Sequence, residues 1–297
     1  MTGEGWAVSA AALAERLRDS GDLADPAWAA AVAETPRVLE IGTGTGYNAA
    51  LLAHRLGDEN VYSVDVAPEL VRMARKRLAE IGRRPRLAEV DGVGGWPEHG
   101  PYDRIIATCA VPNVPTAWLG QVTDGGKVLV DVKVNTGAGN LVLLTKHEDC
   151  LEGRFTKRWA AFMAMRHDGD VDLAEAPKAE GHGHRRTTAP ARPWDDHREV
   201  WFLAARALPT GLRYGYTLDP ATRQPTASML RSPDGSWCHV SEGVVREGGP
   251  TPLWAAVERA YEWWRDHGDP GWERFGLTVG GNGWTLWLDE PGRPVHC

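Results

Sequence analysis

The pattern of apolar and polar residues divides the chain into a first part, in which strand-like and helix-like runs alternate, and a later part beyond a polar stretch. Residues 7–19 and 26–34 repeat apolar positions at helical spacing. From residue 38, "VLEIG" predicts a short strand, followed by a glycine-rich loop and by the helix "YNAALLAHRL", which ends at Gly57. "NVYSVDV" and "PELVRMARKRLAEIG" then predict a second strand and a second helix.

The same alternation predicts the fold class of the first part. "RPRLAEVDG" and "YDRIIATCA" predict two further strands, and "GGKVLVDV" followed by "LVLLTKH" predicts a late hairpin. Strands and helices that alternate at this spacing are typical of a doubly wound α/β sheet. We assign this unit to residues 1–167.

The later part of the chain predicts a linker and a smaller α+β domain. Residues 168–196 are rich in Pro, Gly, Ala and charge without an apolar period, which is typical of a linker. In residues 197–297, "REVWFLAARAL" and "LRYGYTL" predict strands, and "TASMLRSPDGSWCHVS" and "GLTVGGNGWTLWLD" predict hairpins. "TPLWAAVERAYEWWRDHG" predicts an amphipathic helix capped by Thr251. The predicted apolar face of that helix comprises Leu253, Val257, Tyr261 and Trp264.

Charge, apolar runs and cysteine spacing exclude several classes of function. A net charge of −7 and a pI near 5.8 argue against general binding to nucleic acid or to an anionic membrane. The chain shows neither a secretory signal nor an apolar run long enough to span a bilayer, so we expect a cytoplasmic protein. The four cysteines lack metal-ligand spacing, and His182 and His184 lie in the polar linker, so we predict no metal site.

Tryptophan is concentrated in the later part of the chain. Nine of the 14 tryptophans lie between Trp194 and Trp287. Aromatic side chains anchor many peptide interfaces, but they also fill the cores of small domains. We expect at least half of these nine to belong to the core, which leaves the others as candidates for peptide contact.

The loop "GTGTG" at residues 42–46 indicates a nucleoside cofactor, because a backbone without Cβ atoms allows close approach of a ligand. The dinucleotide fingerprint G-x-G-x-x-G needs its third glycine at position 47, which is tyrosine, and this departure weakens an NAD interpretation. Asp65, at the end of the second strand, can accept hydrogen bonds from ribose hydroxyls, and Asp91 can accept one from an adenine amino group. These residues alone leave NAD and S-adenosylmethionine open.

The blocks "VLEIGTGTGYNAALLA", "VDVAPELVRMARKRL" and "VDGVGGWPEHGPYDRIIATCAVPNVPTAWLGQVTDGGKVLV" resemble the protein-L-isoaspartate O-methyltransferase family. The resemblance implies a Rossmann-like methyltransferase sheet that binds S-adenosyl-L-methionine, with "RWAAFMAMR" as its closing strand, and leaves NAD as a minor alternative. The cofactor-binding residues that it implies are Glu40, Gly42, Thr43, Gly44, Gly46, Asp65, Val66, Asp91, Gly92 and Thr108. The substrate-binding residues that it implies are Ala110, Val111 and Pro112.

The tail "WERFGLTVGGNGWTLWLDEPGRPV" resembles the branch of this family that is tied to ATP-grasp peptide (graspetide) maturation. That resemblance implies methylation of an aspartate side chain in a ribosomally made, ATP-grasp-modified precursor peptide, whose ester then closes to an aspartimide. Two alternatives stay open. The protein can instead repair isoaspartyl residues in damaged proteins, or it can be a catalytically inactive module that binds a peptide or a nucleoside.

The junction at residues 37 and 38 departs from the family pattern. Relatives follow "TPR" with a long segment that contacts the substrate, whereas here Arg37 is joined directly to Val38. We expect that the sequence omits this segment rather than that the protein is shortened, because both flanks match the family. The family's serine beside the reacting carboxyl then has no counterpart, and no catalytic residue is carried over.

Overall fold

The computed structural model describes residues 36–166 and 183–296, and the strands in these residues form two sheets. In chain order the strands are β1 Val38–Ile41, β2 Val61–Asp65, β3 Arg86–Glu89, β4 Tyr102–Val111, β5 Val122–Val134, β6 Ala138–His147, β7 Cys150–Phe155, β8 Gly183–Arg186, β9 Arg213–Leu218, β10 Pro225–Arg231, β11 Trp237–Ser241, β12 Val244–Gly248, β13 Phe275–Gly280 and β14 Gly283–Leu288.

The described helices lie between these strands. The α-helices are α1 Tyr47–Leu56, α2 Pro68–Glu80, α3 Pro193–Asp196, α4 Arg198–Ala205 and α5 Leu253–Asp266. Short 3₁₀ helices lie at Asp58–Asn60, Gly92–Gly94, Pro97–His99, Thr116–Gln121, Asn135–Gly137 and Trp272–Arg274. Among the helices of the described ranges, none combines the length and apolar character that crossing a bilayer requires.

The larger sheet has nine strands in the order β14-β13-β7-β6-β5-β4-β1-β2-β3. Strands β3, β2, β1, β4 and β5 are parallel, and the pairs from β5 to β14 are antiparallel. All side chains of β1 and β2 are buried, as expected for parallel strands that are covered on both faces. The predicted doubly wound, Rossmann-like fold class is confirmed, and its strand order reverses between β1 and β4, where such sheets bind ligands.

The C-terminal hairpin is part of the larger sheet. Strand β13 pairs with β7 along four residues, with Leu277 opposite Gly153, so the hairpin β13–β14 extends the larger sheet. Phe155 of β7, Phe202 of α4 and Trp272 form an aromatic cluster with ring centroids 5.3 to 5.4 Å apart. One hydrophobic core therefore crosses the predicted boundary. The boundaries at residues 167, 168, 196 and 197 stay a prediction.

The prediction of a strand at "REVWFLAARAL" is wrong, because this stretch forms α4. Every residue from Val200 to Ala205 is buried, since α4 packs against both α5 and β6. A helix that is apolar on all sides lacks the 3.6-residue period from which a helix is recognised in sequence.

Three local predictions also need correction. The predicted linker contains β8 and α3 in its described part, residues 183–196, whereas residues 168–182 lie outside the described residues. "RWAAFMAMR" forms no closing strand and pairs with β4 through a single bridge between Ala164 and Ala110. Thr251 does not cap α5, because its hydroxyl donates to Asp234 Oδ2 at 2.7 Å and Pro252 occupies the cap position.

The buried face of α5 also differs from the predicted one. Leu253 and Val257 are buried as expected, but Tyr261 and Trp264 are only partly buried. Trp254 takes a central position on this face and is fully buried. The helix is therefore rotated relative to the predicted orientation, toward the side that contacts α4 and the smaller sheet.

The prediction that at least half of the nine later tryptophans belong to the core is confirmed. The buried ones are Trp194, Trp201, Trp254, Trp272 and Trp287. Trp263, Trp264 and Trp284 are partly buried against the same core. Tryptophan therefore serves mainly to join α3, α4 and α5 to the two sheets.

Arg37 anchors the start of β1. Its main-chain oxygen accepts hydrogen bonds from the amides of Asp103 and Arg104 at 3.0 and 3.2 Å, and its own amide donates to Asp103 Oδ2 at 2.8 Å. The junction between Arg37 and Val38 thus lies where the hydrogen-bonded ladder between β1 and β4 begins. The omission of a segment at this junction stays a prediction.

Substitution Gly276→Ala should test the continuity of the larger sheet. A Cβ at Gly276 would lie 2.1 Å from Trp287 Cη2 and 2.6 Å from the Gly153 oxygen. We expect overpacking to lower the free energy of unfolding by about 1–3 kcal/mol in one cooperative transition. Chemical denaturation followed by tryptophan fluorescence and by circular dichroism measures this. Gly281→Ala in the adjoining turn is the matched control, because its Cβ would meet nothing within 4 Å. Two separate transitions would contradict a continuous sheet.

Candidate functional site

A cavity of about 290 Å³ opens at the carboxyl ends of β1, β2 and β4, at the point where the strand order reverses. Its walls come from the loop after β1, the start of α2, the turn after β3 and the segment 163–166. The lining residues are Ile41, Gly42, Gly44, Val64, Asp65, Val66, Leu70, Gly92, Thr108, Cys109, Met163, Ala164, Met165 and Arg166.

Asp65 provides the carboxylate of this cavity. One carboxylate oxygen accepts a hydrogen bond from the Gly44 amide at 2.8 Å, and the other accepts one from the Ala67 amide at 3.1 Å. Each carboxylate oxygen has a second acceptor site, so Asp65 keeps the capacity to accept hydrogen bonds from a ligand that carries hydroxyls. The geometry thus holds a buried anion at the cavity wall.

The loop after β1 is held close to β4. Thr108 donates its hydroxyl hydrogen bond to the Gly42 oxygen at 2.7 Å, and a Cβ at Gly42 would lie only 3.0 Å from that hydroxyl oxygen. Gly42 also has φ of 95°, a conformation that other residues rarely adopt. The third glycine, Gly46, lies at the start of α1, where a Cβ would meet Ala74 of α2 at 3.0 Å. The short spacing of these glycines therefore serves helix packing as well as loop conformation.

Glu40 lies behind the glycine loop and does not line the cavity. Its side chain is fully buried and accepts hydrogen bonds from Asn48 Nδ2 at 2.8 Å and from Ser63 Oγ at 2.5 Å. Burial raises the pKa of Glu40 to about 7, although both hydrogen bonds act in the opposite direction. Glu40 therefore changes its charge near neutral pH inside the structure.

Of the ten predicted cofactor-binding residues, six line the cavity: Gly42, Gly44, Asp65, Val66, Gly92 and Thr108. The other four support the walls instead. Glu40 and Gly46 do so as described above, and Thr43 forms a hydroxyl–hydroxyl hydrogen bond with Ser63 at 2.6 Å. Asp91 Oδ1 accepts from the Val93 amide at 2.9 Å and so caps a short 3₁₀ helix. Direct cofactor contact by these four stays a prediction.

The predicted substrate-binding residues lie at the end of β4 but differ in exposure. Ala110 and Val111 are buried, whereas Pro112 is exposed. Ala110 uses its backbone to hold the cavity wall, because its amide donates to the Met163 oxygen at 2.8 Å and its oxygen accepts from the Met165 amide at 2.7 Å. Of the three, only Pro112 presents a side chain to solvent, and their substrate roles stay predictions.

Sequence reasoning missed Asp131, and it assigned the segment 163–166 to a closing strand without placing it in the cavity wall. Asp131 on β5 lies opposite Ala110, is fully buried, and forms an ion pair with Lys133 Nζ at 2.9 Å. Burial raises the pKa of Asp131. Lys133 also donates to the Phe162 oxygen at 3.3 Å, so the pair ties β5 to the cavity wall. The signal that could have shown this is an acid and a base two residues apart within the apolar run "KVLVDVKV".

Cys109 is a further titratable group of the cavity lining. Burial raises the pKa of the Cys109 thiol to about 12, so this cavity-lining cysteine is uncharged at neutral pH. Within residues 36–166 and 183–296, no three His, Cys, Asp or Glu side chains come together as a metal centre would require. His184 lies on β8, away from the cavity lining, and His182 lies outside the described residues.

The fold and the site together define a Rossmann-like protein with a nucleoside-binding type of cleft. The model of the protein-L-isoaspartate(D-aspartate) O-methyltransferase (PCMT) family matches residues 27–164. A protein-L-isoaspartate O-methyltransferase of Gloeobacter violaceus is 40% identical over 119 residues, which cover 40% of this chain and 57% of the relative. Protein-L-isoaspartate O-methyltransferase 1 of an Anaeromyxobacter species is 44% identical over 115 residues, which cover 38% and 53%.

A solved structure named protein-L-isoaspartate O-methyltransferase aligns with 86% of this chain and 77% of its own, at 24% identity and a TM-score of 0.49. The chain spans about half the length of the curated relatives it matches. The family model and these relatives support a place in the PCMT family for the part of the chain that they match. The smaller sheet and the C-terminal hairpin lie beyond that part.

Substitution Glu40→Gln should remove a pH dependence of stability. The pKa of Glu40 is raised from 4.5 to about 7 on folding, so the folded state binds more protons between these values and the free energy of unfolding falls as pH rises. Glutamine is uncharged at every pH and is close in shape to the protonated glutamate side chain. We expect Glu40→Gln to match the wild type below pH 4.5 and to be more stable by about 3 kcal/mol above pH 7.

Urea unfolding of both proteins at several pH values measures this difference. The exposed Glu80→Gln on α2 is the control and should leave the pH dependence unchanged. A constant difference between wild type and Glu40→Gln at all pH values would contradict the raised pKa.

Proposed function

We propose that this chain is an S-adenosyl-L-methionine-dependent O-methyltransferase that acts on the side-chain carboxylate of an aspartate in a peptide. The observation on which this rests is the carboxylate of Asp65, held at the cavity wall beside the Gly42 and Gly44 backbone within the segment that matches the family. The relatives that share this segment are named protein-L-isoaspartate O-methyltransferases.

The residues of the cavity fit a nucleoside with an amino-acid tail. Asp65 would accept hydrogen bonds from the ribose hydroxyls, and the backbone of Gly42 and Gly44 would face the amino-acid end. Ile41, Leu70 and several cavity-lining apolar atoms of residues 163–165 would cover the base and the methylene groups next to the sulfur. When it is bound, S-adenosyl-L-methionine supplies a methyl group that is activated by a positively charged sulfur.

The chain's own task in this reaction is to bind and orient. An aspartate side chain has an ordinary pKa of about 3.9, so a substrate carboxylate is already an anion at neutral pH and needs no general base. This agrees with a cavity that presents an uncharged thiol at Cys109 and keeps Glu40 behind its wall. Correct positioning of two reactants contributes on the order of 7–11 kcal/mol to such a reaction.

We further propose that the aspartate belongs to a ribosomally made peptide that an ATP-grasp ligase has already modified. The support is the resemblance of the tail to that branch, together with a smaller sheet and a hairpin that lie beyond the family match. After ester formation, a neighbouring backbone amide nitrogen would attack the ester carbonyl, releasing methanol and closing an aspartimide. No nucleic acid or membrane partner is part of this proposal.

Repair of isoaspartyl residues is the second candidate function. It is favoured by the names of the relatives, each of which is called a protein-L-isoaspartate O-methyltransferase. The free carboxylate of an isoaspartyl residue would use the same cleft and the same positioning chemistry. The two functions therefore differ in the peptide that is recognised and not in the reaction.

A direct comparison of substrates tests the proposal. The full chain is incubated with S-adenosyl-L-methionine and either an ATP-grasp-modified precursor peptide or an isoaspartyl test peptide, and products are followed by mass spectrometry. We expect the modified precursor to gain one methyl group and then to lose methanol. Methylation of the isoaspartyl peptide alone would favour repair. Binding of S-adenosylhomocysteine without methylation of either peptide would favour an inactive binding module.

Substitution Asp65→Asn should weaken cofactor binding. It removes the charge and one acceptor oxygen at the cavity wall, and hydrogen bonds to charged groups contribute roughly 1.5–3 kcal/mol. We expect the Kd for S-adenosylhomocysteine, measured by calorimetry, to rise about 10- to 100-fold. Glu69→Gln, at an exposed position in the first turn of α2, is the matched control. An unchanged Kd in a folded Asp65→Asn protein would show that Asp65 only ties the loop together.

A further inference from the structure

The smaller sheet has one face against the core and one face toward solvent. Its five strands lie in the order β8-β12-β11-β10-β9 and are antiparallel. On the central strands, Leu230 and Cys238 are buried and directly opposite each other. Because successive side chains of a strand point to opposite faces, Arg231, Trp237 and their neighbours in register form the outer face.

Basic residues dominate this outer face. It carries Arg186, Arg213, Arg231, Arg246, His184 and His239, distributed over all five strands. Glu247 is the single carboxylate in the five strands as described, and it lies on the opposite face, where it accepts from Arg185 Nε at 3.0 Å. The outer face therefore concentrates positive charge in a chain whose net charge is −7.

The cross-strand pairs on this face place basic side chains side by side. Arg213 of β9 is the register partner of Arg231 of β10, and Arg246 of β12 stands between His239 of β11 and His184 of β8. An anion bound beside these arginines would accept charge-assisted hydrogen bonds from them.

Three acidic residues of the described turns lie at the ends of this sheet. Asp219 accepts hydrogen bonds from the Ala221 and Thr222 amides in the turn between β9 and β10. Asp234 bonds to Ser236 and Thr251, and Glu242 lies in the turn between β11 and β12. The first two carboxylates are thus engaged in their own turns and leave the centre of the outer face basic.

We propose that the outer face of the smaller sheet binds an acidic segment of the peptide substrate. This proposal rests on the proposed function in one respect: the occupant is taken to be the peptide whose carboxylate is methylated. Neighbouring strands of a sheet lie about 4.8 Å apart. Arginines on such strands can form charge-assisted hydrogen bonds with the side-chain carboxylates of an extended acidic segment. Trp237, in edge-to-face contact with His239 at 5.6 Å, adds a half-buried aromatic surface between the charges.

A peptide fits this face better than a nucleic acid does. The phosphate backbone of a nucleic acid is a dense polyanion, whose binding requires a large excess of positive charge over the protein surface. The rest of this chain is negatively charged and would repel such a polymer beyond the sheet. A short acidic segment needs only the basic residues of the outer face.

Fluorescence anisotropy with a labelled deca-glutamate peptide and the full chain tests the proposal. Binding should weaken as salt concentration rises. The double variant Arg231→Glu/Arg246→Glu should raise the Kd about tenfold, because two attractive contacts become repulsive. Arg246→Glu alone, at an exposed position, should give a smaller loss and covers the case in which the double variant does not fold.

The matched control is Lys76→Glu/Arg77→Glu on the exposed side of α2, which changes the net charge equally and should leave the Kd unchanged. Equal losses in both double variants would overturn the proposal, as would equal binding of a deca-glutamine peptide. Tighter binding of a single-stranded oligonucleotide would assign the face to nucleic acid and overturn it too. Binding of S-adenosylhomocysteine reports separately on the proposed function, so loss of that binding with intact peptide binding leaves the present proposal standing.

Discussion

The carboxylate of Asp65 holds together the two elements between which the cavity opens. Its two oxygens accept hydrogen bonds from the amides of Gly44, in the loop after β1, and of Ala67, at the start of α2. Removing either contact would leave a buried anion without full compensation, which is costly in a protein interior. The loop conformation, the helix position and the cavity shape therefore depend on one charged group.

Two neighbouring parallel strands place two carboxylates in different surroundings. Glu40 of β1 lies in an enclosed cluster with Asn48 and Ser63, and Ser63 in turn bonds to Thr43. Asp65 of β2 faces the cavity instead. The cluster behind the loop fixes its shape before any ligand arrives, and such preorganisation reduces the ordering cost of binding.

The parts of the fold and of the site that could be predicted from the sequence are those whose pattern lies within a short stretch of the chain. The strand β1, its glycine loop and the acid at the end of β2 follow one another at the spacing that a parallel sheet requires, and six predicted residues line one cavity. Helix α4 was missed because it is buried on all sides. Residues 163–166 were predicted as part of a closing strand and not as a cavity wall, because they meet β4 through one isolated bridge, a long-range contact without a sequence period. The pairing of β13 with β7 was missed for the same reason.

The C-terminal hairpin gives the later part of the chain a fixed relation to the cleft. Trp284 of β14 donates from Nε1 to Asn113 Oδ1 at 2.5 Å, just beyond the end of β4, and the Arg206 guanidinium lies 5.8 Å from the Trp284 ring centroid. Because β13 is hydrogen-bonded to β7, these contacts belong to a continuous sheet and not to a flexible tether. A peptide that engages both the smaller sheet and the end of β4 would be held by two sites at a set separation. Binding at the first site would then raise, at the second, the effective concentration of the carboxylate that we propose to be methylated.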